Sequence, residues 1–248
     1  MRAIQLVSQN PSTALNRRHK VRHILTRAVV KLAGKSRRDA REVVPALAGR
    51  VRLPANTLER RAARLSGGQQ QRVAVARAVA GEPRVVVCDE PTSSLDISVQ
   101  SAILNLLVSM QREQQLSYVF VSHDLRVIRY ISDRVAVLYL GRLMEVGPSD
   151  RVFFGPNHPY TEALLSSLGS AAGGKAARIR LEGELPSAAD MPTGCVFHTR
   201  CPRKLGDVCE TTVPPLRDFG AEHMVRCHIP EGELRTLQIS ACAPEVKV

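Results

Sequence analysis

The apolar pattern changes period several times along the chain, and each change marks an element. Residues 2–8 form an apolar stretch of strand length that ends at "QNPS", which predicts a short strand. Residues 17–50 read as basic helices with breaks near Gly34 and Gly49. A Pro-marked turn in "RVRLPANTLERRAARLSGGQ" leads into a helix predicted over 69–80. Val73, Ala76, Val79 and Ala80 recur there at helical spacing until "GEP" stops it. "RVVVC" is short, continuously apolar and β-branched, the pattern of a strand buried on both faces. Residues 97–115 follow as a helix with Ile103, Leu104, Leu107 and Met110 on one face. "SYVFVS" is a second strand expected to be buried, and "DLRVIRYIS" returns to helix. "DRVAVLYLGRLMEVG" predicts two strands around Gly141, a hairpin. Strand alternating with helix argues for an α/β layer with a parallel sheet. From residue 149 the texture changes. "SDRVFFGPNHPYTEALLSSL" predicts one or two helices and "GSAAGGKAA" a flexible linker. A Cys-, Pro- and His-rich region with little periodicity then follows.

Composition narrows the class. The 248 residues, 44% hydrophobic, suffice for one substantial core and a small appendage. No apolar run reaches membrane-spanning length, and the N-terminal stretch has neither an apolar h-region nor a small-residue cleavage site. A cytosolic chain is therefore expected. Charge is uneven: residues 1–80 hold 18 Lys/Arg against 3 Asp/Glu, whereas the remainder is close to neutral. Such a basic third could meet nucleic acid, anionic lipid or an acidic protein surface. No aromatic residue precedes Tyr118, which argues against a base-stacking platform and for a solvated or protein-facing surface. Of six cysteines, Cys88 lies in an apolar strand and is expected in the core, Cys242 sits in a C-terminal tail, and four cluster between 195 and 227.

Two short stretches carry candidate chemistry. "VVVCDEP" places Asp89 and Glu90 at the carboxyl end of a strand, where ligands sit in open α/β sheets. One carboxylate there can hold a magnesium ion and the next can act on an attacking water. Acids that merely open a loop are the alternative. In "LSGGQ", Ser66, Gly67 and Gly68 precede a helix whose free N–H groups and positive dipole end can face a phosphate. An ordinary Ser cap with a Gly turn would look the same.

The order "LSGGQQQR", "VVVCDEPTSSLD", "YVFVSHD", with short spacings, resembles the ABC ATPase family. The resemblance implies a partial P-loop NTPase fold with a helical subdomain. It makes Ser66, Gly67, Gly68 and Gln69 the signature motif, which meets the γ-phosphate of ATP held by an opposite subunit. Asp89 becomes the magnesium ligand and Glu90 the general base. Ser93 to Asp96 become the D-loop that communicates across the dimer, and His123 the switch histidine. Gln9, in "LVSQNP", is similar to the Q-loop glutamine that links the metal site to the membrane partner. The basic segment of about 15–64 then corresponds to the helical subdomain.

"QNPSTALN", "FFGPNHPYTEALLSSL" and the Cys-rich tail narrow the resemblance to ATP-binding subunits of oligopeptide, dipeptide and nickel importers, from about residue 3 to about residue 230. Ser8 stands where that family usually has Phe, and Arg17 where it often has Pro. The expected division is a truncated ATPase domain over 1–148, a helix and linker over 149–174, and a small Cys-rich extension over 175–248. Such a chain is expected to lie peripherally at the cytoplasmic face of the membrane with a second ATPase subunit and integral permease subunits, and without nucleic acid. One family element is missing from these residues: G-x-x-x-x-G-K-[ST], whose amides and Lys hold ATP phosphates. "AGKS" at 33–36 has Val29 where the first Gly is required and sits among helices, so it is read as a chance match. The phosphate loop lies upstream of the Q-loop in the family. The expectation is a chain inactive alone, or alternatively a split-gene product acting as a permease-binding or iron–sulfur module. Cys195, Cys201, Cys209 and Cys227 lack zinc-knuckle spacing. Four thiols in a core-poor region of a cytosolic chain suit a metal or cluster that supplies folding energy. The resemblance implies a [4Fe–4S] cluster, with zinc or free thiols as alternatives and His198 and His228 as spare ligands.

Overall fold

The computed structural model describes residues 3–171, 178–187 and 189–238. Part of the expected linker (172–177) and Cys242 lie outside the described residues. Two compact units divide the chain, Met1–Val127 and Ile128–Val248.

The first unit is built on a parallel sheet of β1 (Ile4–Val7), β2 (Val85–Asp89) and β3 (Ser117–Val121), in that order. Between β1 and β2 run α1 (Pro11–Ala14), α2 (Val21–Ala28), α3 (Arg37–Arg50) and α4 (Gly67–Val79). α5 (Ile97–Gln114) crosses from β2 to β3. Register puts Val7, Cys88 and Phe120 on one face, where Val7, Val86 and Cys88 are buried. The buried residues of α4 include Val73, Ala76 and Val79, and those of α5 include Ile103, Leu104, Leu107 and Met110, all at the expected positions. Tyr118 Oη donates to Leu107 O, tying β3 to α5. Burial also pushes the Cys88 thiol up to about 12, so it is an inert core group.

The opposite face departs from expectation. Ile4 (60%), Leu6 (55%), Val119 (53%) and Val121 (47%) are exposed there. The reading of β3 as buried on both faces is therefore wrong for these residues: helices cover one face of the sheet, and these four side chains on the other are exposed. The basic segment also differs in detail. α2 continues into a π-helical turn over 29–33 and ends at Gly34, whose φ is +71°. Gly49 does not break α3 but lies inside it, with open space where a Cβ would be. The chain turns instead at Arg52, with φ of +56°. In "AGKS", Ser36 caps α3 in a reciprocal box with Asp39, so the segment joins two helices rather than strand to helix.

α6 (Leu125–Ile131) is followed by the second unit's hairpin, β4 (Arg134–Tyr139) and β5 (Arg142–Pro148). The hairpin turns through Leu140 and Gly141, both at positive φ, the two-residue geometry whose twist suits a hairpin. α7 (Ser149–Phe154) and α8 (Pro159–Ala171) come next, then α9 (Asp207–Thr211), β6 (Leu216–Asp218), β7 (Met224–Arg226) and α10 (Glu231–Gln238). The sheet order is β4-β5-β7-β6, all antiparallel. β5 pairs with β7 of the Cys-rich region, so hairpin and Cys-rich region share a sheet across the expected boundary at 148. Tyr160 packs against a small core of Tyr139, Met144, Cys195 and Phe197, in which Tyr139 meets both Tyr160 and Phe197 edge to face. Among the described residues no helix is long and apolar enough to cross a membrane.

Candidate functional site

The carboxyl ends of β1, β2 and β3 bring two distant residues onto one carboxylate. Gln9 Nε2 donates to Glu90 Oε2 at 3.0 Å, and His123 Nδ1 lies 3.0 Å from Glu90 Oε1. Gln9 follows β1, Glu90 follows β2 and His123 follows β3, so parallel register alone gathers them at one edge. Glu90 itself has φ of +43°, an unfavourable conformation for a side chain with a Cβ. Its N–H donates to Val121 O and its carbonyl accepts from Ser93 Oγ, which pin the turn. The hydrogen bond to His123 holds the Glu90 carboxyl below its usual range, and the same bond raises the His123 imidazole above its ordinary value. Asp89 ends β2 beside it, exposed, and its carboxylate has no hydrogen-bond or ion-pair partner among the described residues. A free carboxylate at a sheet edge suits a hard divalent cation such as Mg2+.

The "LSGGQ" segment builds the N-terminus of α4. Ser66 Oγ accepts from Gln69 N–H at 3.3 Å, and Gln69 Oε1 accepts from Ser66 N–H at 3.2 Å, a reciprocal capping box. Asp96 caps α5 by accepting from Val99 N–H and Ser98 Oγ. The Ser98 bond, before the others, holds the Asp96 carboxyl low. These two helix starts touch. A Cβ on Gly68 would lie 2.5 Å from Val99 Cγ1, and one on Gly67 would lie 3.4 Å from Leu95 Cδ2. Gly68 is thus required by close approach, not by backbone conformation. The structure therefore brings Gln9, Glu90 and His123 together, with Asp89 adjacent. It joins Ser66–Gln69 to Leu95–Val99 as a second group. Among the described residues no hydrogen bond links the two groups. Ser8 Oγ, beside Gln9, is buried without a partner.

The four clustered cysteines converge in the second unit. Cys195, Cys209 and Cys227 are buried and Cys201 half-buried, all as free thiols. Burial pushes the Cys201 thiol up to about 12 and Cys227 up to about 11, and raises Cys195; each also feels the charge of others in the group. Backbone N–H groups face the sulfurs: Phe197 and His198 at Cys195, Arg203 at Cys201, Ile229 and His228 at Cys227. Amides aimed at sulfur suit thiolates bound to a cationic centre. Among the described residues no three His, Cys, Asp or Glu lie close enough to hold a single metal ion. The spare histidines are engaged elsewhere, His198 Nδ1 with Cys195 O and His228 Nε2 with Thr212 O.

One set of residues had no sequence signal as a group. Glu145, fully buried on β5, accepts from His223 Nε2 at 2.7 Å, Asn157 Nδ2 at 3.1 Å and His158 N–H at 2.9 Å. Gln238 bonds Asn157 and Glu162, and Arg203 grips Glu162 with two nitrogens. Burial takes His158 down to about 3, so it stays neutral. Only the "NHP" turn is visible in sequence; its partners lie 12 to 81 positions away.

Comparison with known proteins follows this division. Residues 1–93 match the ABC transporter family and residues 144–209 the C-terminal region of oligopeptide/dipeptide transporters. The oligopeptide transport ATP-binding protein AppF of Bacillus subtilis is 42% identical over 91% of this chain and 69% of its own length. The dipeptide transport ATP-binding protein DppF of Escherichia coli is 44% identical over 90% of this chain and 67% of its own. Among solved structures, cbiO1 of Clostridium perfringens, part of the transporter complex cbiONQ, superposes with a TM-score of 0.56 at 26% identity, over 68% of this chain and 64% of that one. The ATP-binding cassette MJ0796 bound to ADP and Pi gives 0.51 at 28% identity, over 59% of this chain and 62% of that one. The chain thus spans roughly two thirds of the length of the proteins it matches.

Proposed function

The chain belongs to the ATP-binding proteins of oligopeptide and dipeptide ABC transporters, and on that premise we propose that it is the ATP-hydrolysing component of a peptide importer. ATP turnover would drive transport through a permease at the cytoplasmic face of the membrane, in partnership with a second ATPase subunit. The observation that carries this reading is the meeting of Gln9 and His123 on Glu90. In the reaction, water oxygen bonds to the γ-phosphorus, the bond from phosphorus to the ADP oxygen breaks, and Glu90 accepts the water proton. Mg2+, held by Asp89, would neutralise charge between the phosphates. His123 steadies Glu90 and senses the γ-phosphate, and Gln9 reports occupancy to the permease. Ser66, Gly67, Gly68 and Gln69 offer their helix start to ATP held by the partner, across a contact that Asp96 helps order.

The bare apolar sheet face supports a second feature. A parallel sheet is ordinarily covered on both faces. Residues 1–248 contain no G-x-x-x-x-G-K-[ST]. A strand–loop–helix unit bearing that loop, whether continuous with this sequence or contributed by another polypeptide, would cover Ile4, Leu6, Val119 and Val121 and complete the site. A cavity of about 590 Å³ that includes Ser8, Leu15, Ile24, Arg27 and Lys31 in its lining suits a permease helix with an acidic tip. The four thiols are proposed to carry a [4Fe–4S] cluster; anaerobic iron and sulfide loading should give thiolate-to-iron absorption that a Cys201→Ser variant weakens.

The decisive measurement is the intact mass of the native protein with its ATP affinity. A mass above 27.2 kDa by a subdomain, with micromolar ATP binding, makes it a complete ATPase. At 27.2 kDa the chain should bind ATP only with a complete subunit present, and the non-catalytic module becomes the better reading if it binds none even then. Micromolar ATP binding by residues 1–248 alone would falsify the proposed missing loop.

A further inference from the structure

The second unit contains a cavity of about 590 Å³ that nothing in the ATPase cycle uses. It is the size of ordinary small-molecule sites. Its walls are the hairpin end at 141–144, the loop 191–196 and the segment at Val213 and Pro214, with Arg226 of β7. Leu143, Met144, Met191 and Val213 make most of it apolar. Among the described residues two guanidinium groups, Arg142 and Arg226, are its only charged lining, and no carboxylate is part of it.

The walls are held open. Arg226 Nε donates to Leu143 O and its Nη1 to Pro214 O, fastening β7 to the hairpin and to the Pro214 segment. Thr193 Oγ1 donates to Glu210 O and Cys195 N–H to Cys209 O, fastening the loop to α9. Gly194, at φ of +61°, packs so closely that a Cβ would lie 2.6 Å from Cys209 O. A cavity whose sides are fixed this way does not have to be ordered by its ligand, which favours binding. Arg142, by contrast, is exposed at the hairpin end, and its guanidinium makes no hydrogen bond or ion pair among the described residues.

We propose that this cavity binds a small organic monoanion: a carboxylate on an apolar body, with the carboxylate on Arg142 and the body against Met144, Met191 and Val213. Charge-assisted bonds from guanidinium fit a planar carboxylate. Among the described residues no acidic group lines the cavity to counter an ammonium, so a free amino acid zwitterion should bind less well than its N-blocked form. Methionine and valine walls adapt to branched apolar shapes.

N-acetyl-leucine is the probe, titrated into the full 248-residue chain by calorimetry and by saturation-transfer NMR. A ligand this small should saturate with Kd on the order of 1 mM. N-acetyl-leucine amide, without the charge, and leucine, with its ammonium, should each bind about tenfold more weakly. Inorganic phosphate should not compete. Arg142→Ala should weaken binding about tenfold. Val213→Trp, an exposed change that fills the mouth without disturbing the core, should abolish it. No saturable binding, equal binding of the amide, displacement by phosphate, or unchanged affinity in both variants would each overturn the proposal.

Discussion

The Glu90 carboxylate carries two ties, and they make different predictions. His123 is largely exposed, so its tie contributes little to global stability, but it sets two protonation equilibria. The imidazole pKa is raised above its ordinary 6.5, so its share of the interaction is complete below that value and is lost as pH rises through the raised pKa. The Glu90 carboxyl is lowered from 4.5, so its share is present above that value and is lost as pH falls through the lowered pKa. The pair is firmest between the two. An NMR titration should place the His123 midpoint above 6.5 in the wild type and return it toward 6.5 in Glu90→Gln; an unmoved midpoint would dissolve the pairing. The same variant, in an ATPase assembly with an intact phosphate loop, should turn over about 10²–10⁴ slower while still binding ATP. At this scale the sequence was informative because each residue sits at a strand end within a recognisable string. What it left unread was that Gln9 and His123 share one acceptor, since hydrogen bonds across 81 and 33 positions depend on register.

At the scale of elements, α4 and α5 meet where their capped N-termini cross. Gly68→Ala should destabilise the chain by about 1–3 kcal/mol, because the new methyl would press on Val99 Cγ1. Val99→Ala removes the obstructing methyl groups, so the double variant should recover part of that loss, and additive effects in chemical denaturation would contradict the contact. Ser66→Ala, which removes one arm of the capping box, should cost about 1 kcal/mol. Helix and strand positions were largely legible because period and β-branching differ so sharply between the segments. Gly49 was misread, since a glycine within an exposed helix turn needs no special φ, whereas Arg52 accepted the left-handed turn that composition did not mark.

At the scale of the whole molecule, each unit raises its own question of what completes it. The second unit has small hydrophobic clusters and relies on the Glu145 network. Glu145→Ala leaves the donors of His223, Asn157 and His158 facing a void, so unfolding of Ile128–Val248 should become about 3–5 kcal/mol easier, measured by hydrogen exchange of β5 and β7 amides. The first unit has an exposed apolar face. Replacing Leu6 and Val119 by Ser should leave the fold of residues 1–248 intact yet abolish rescue of ATP binding by a polypeptide bearing the phosphate loop; preserved rescue would place that polypeptide elsewhere. By itself the sequence determined the family, the order of strands and helices, and the residues at the strand ends, because these depend on local period and on short strings of fixed spacing. Tertiary structure alone decided which sheet face is bare, that the hairpin joins the Cys-rich region through β5 and β7, and that one buried glutamate holds three distant donors. Those outcomes depend on register and on burial summed over residues far apart in the chain, which no local pattern encodes.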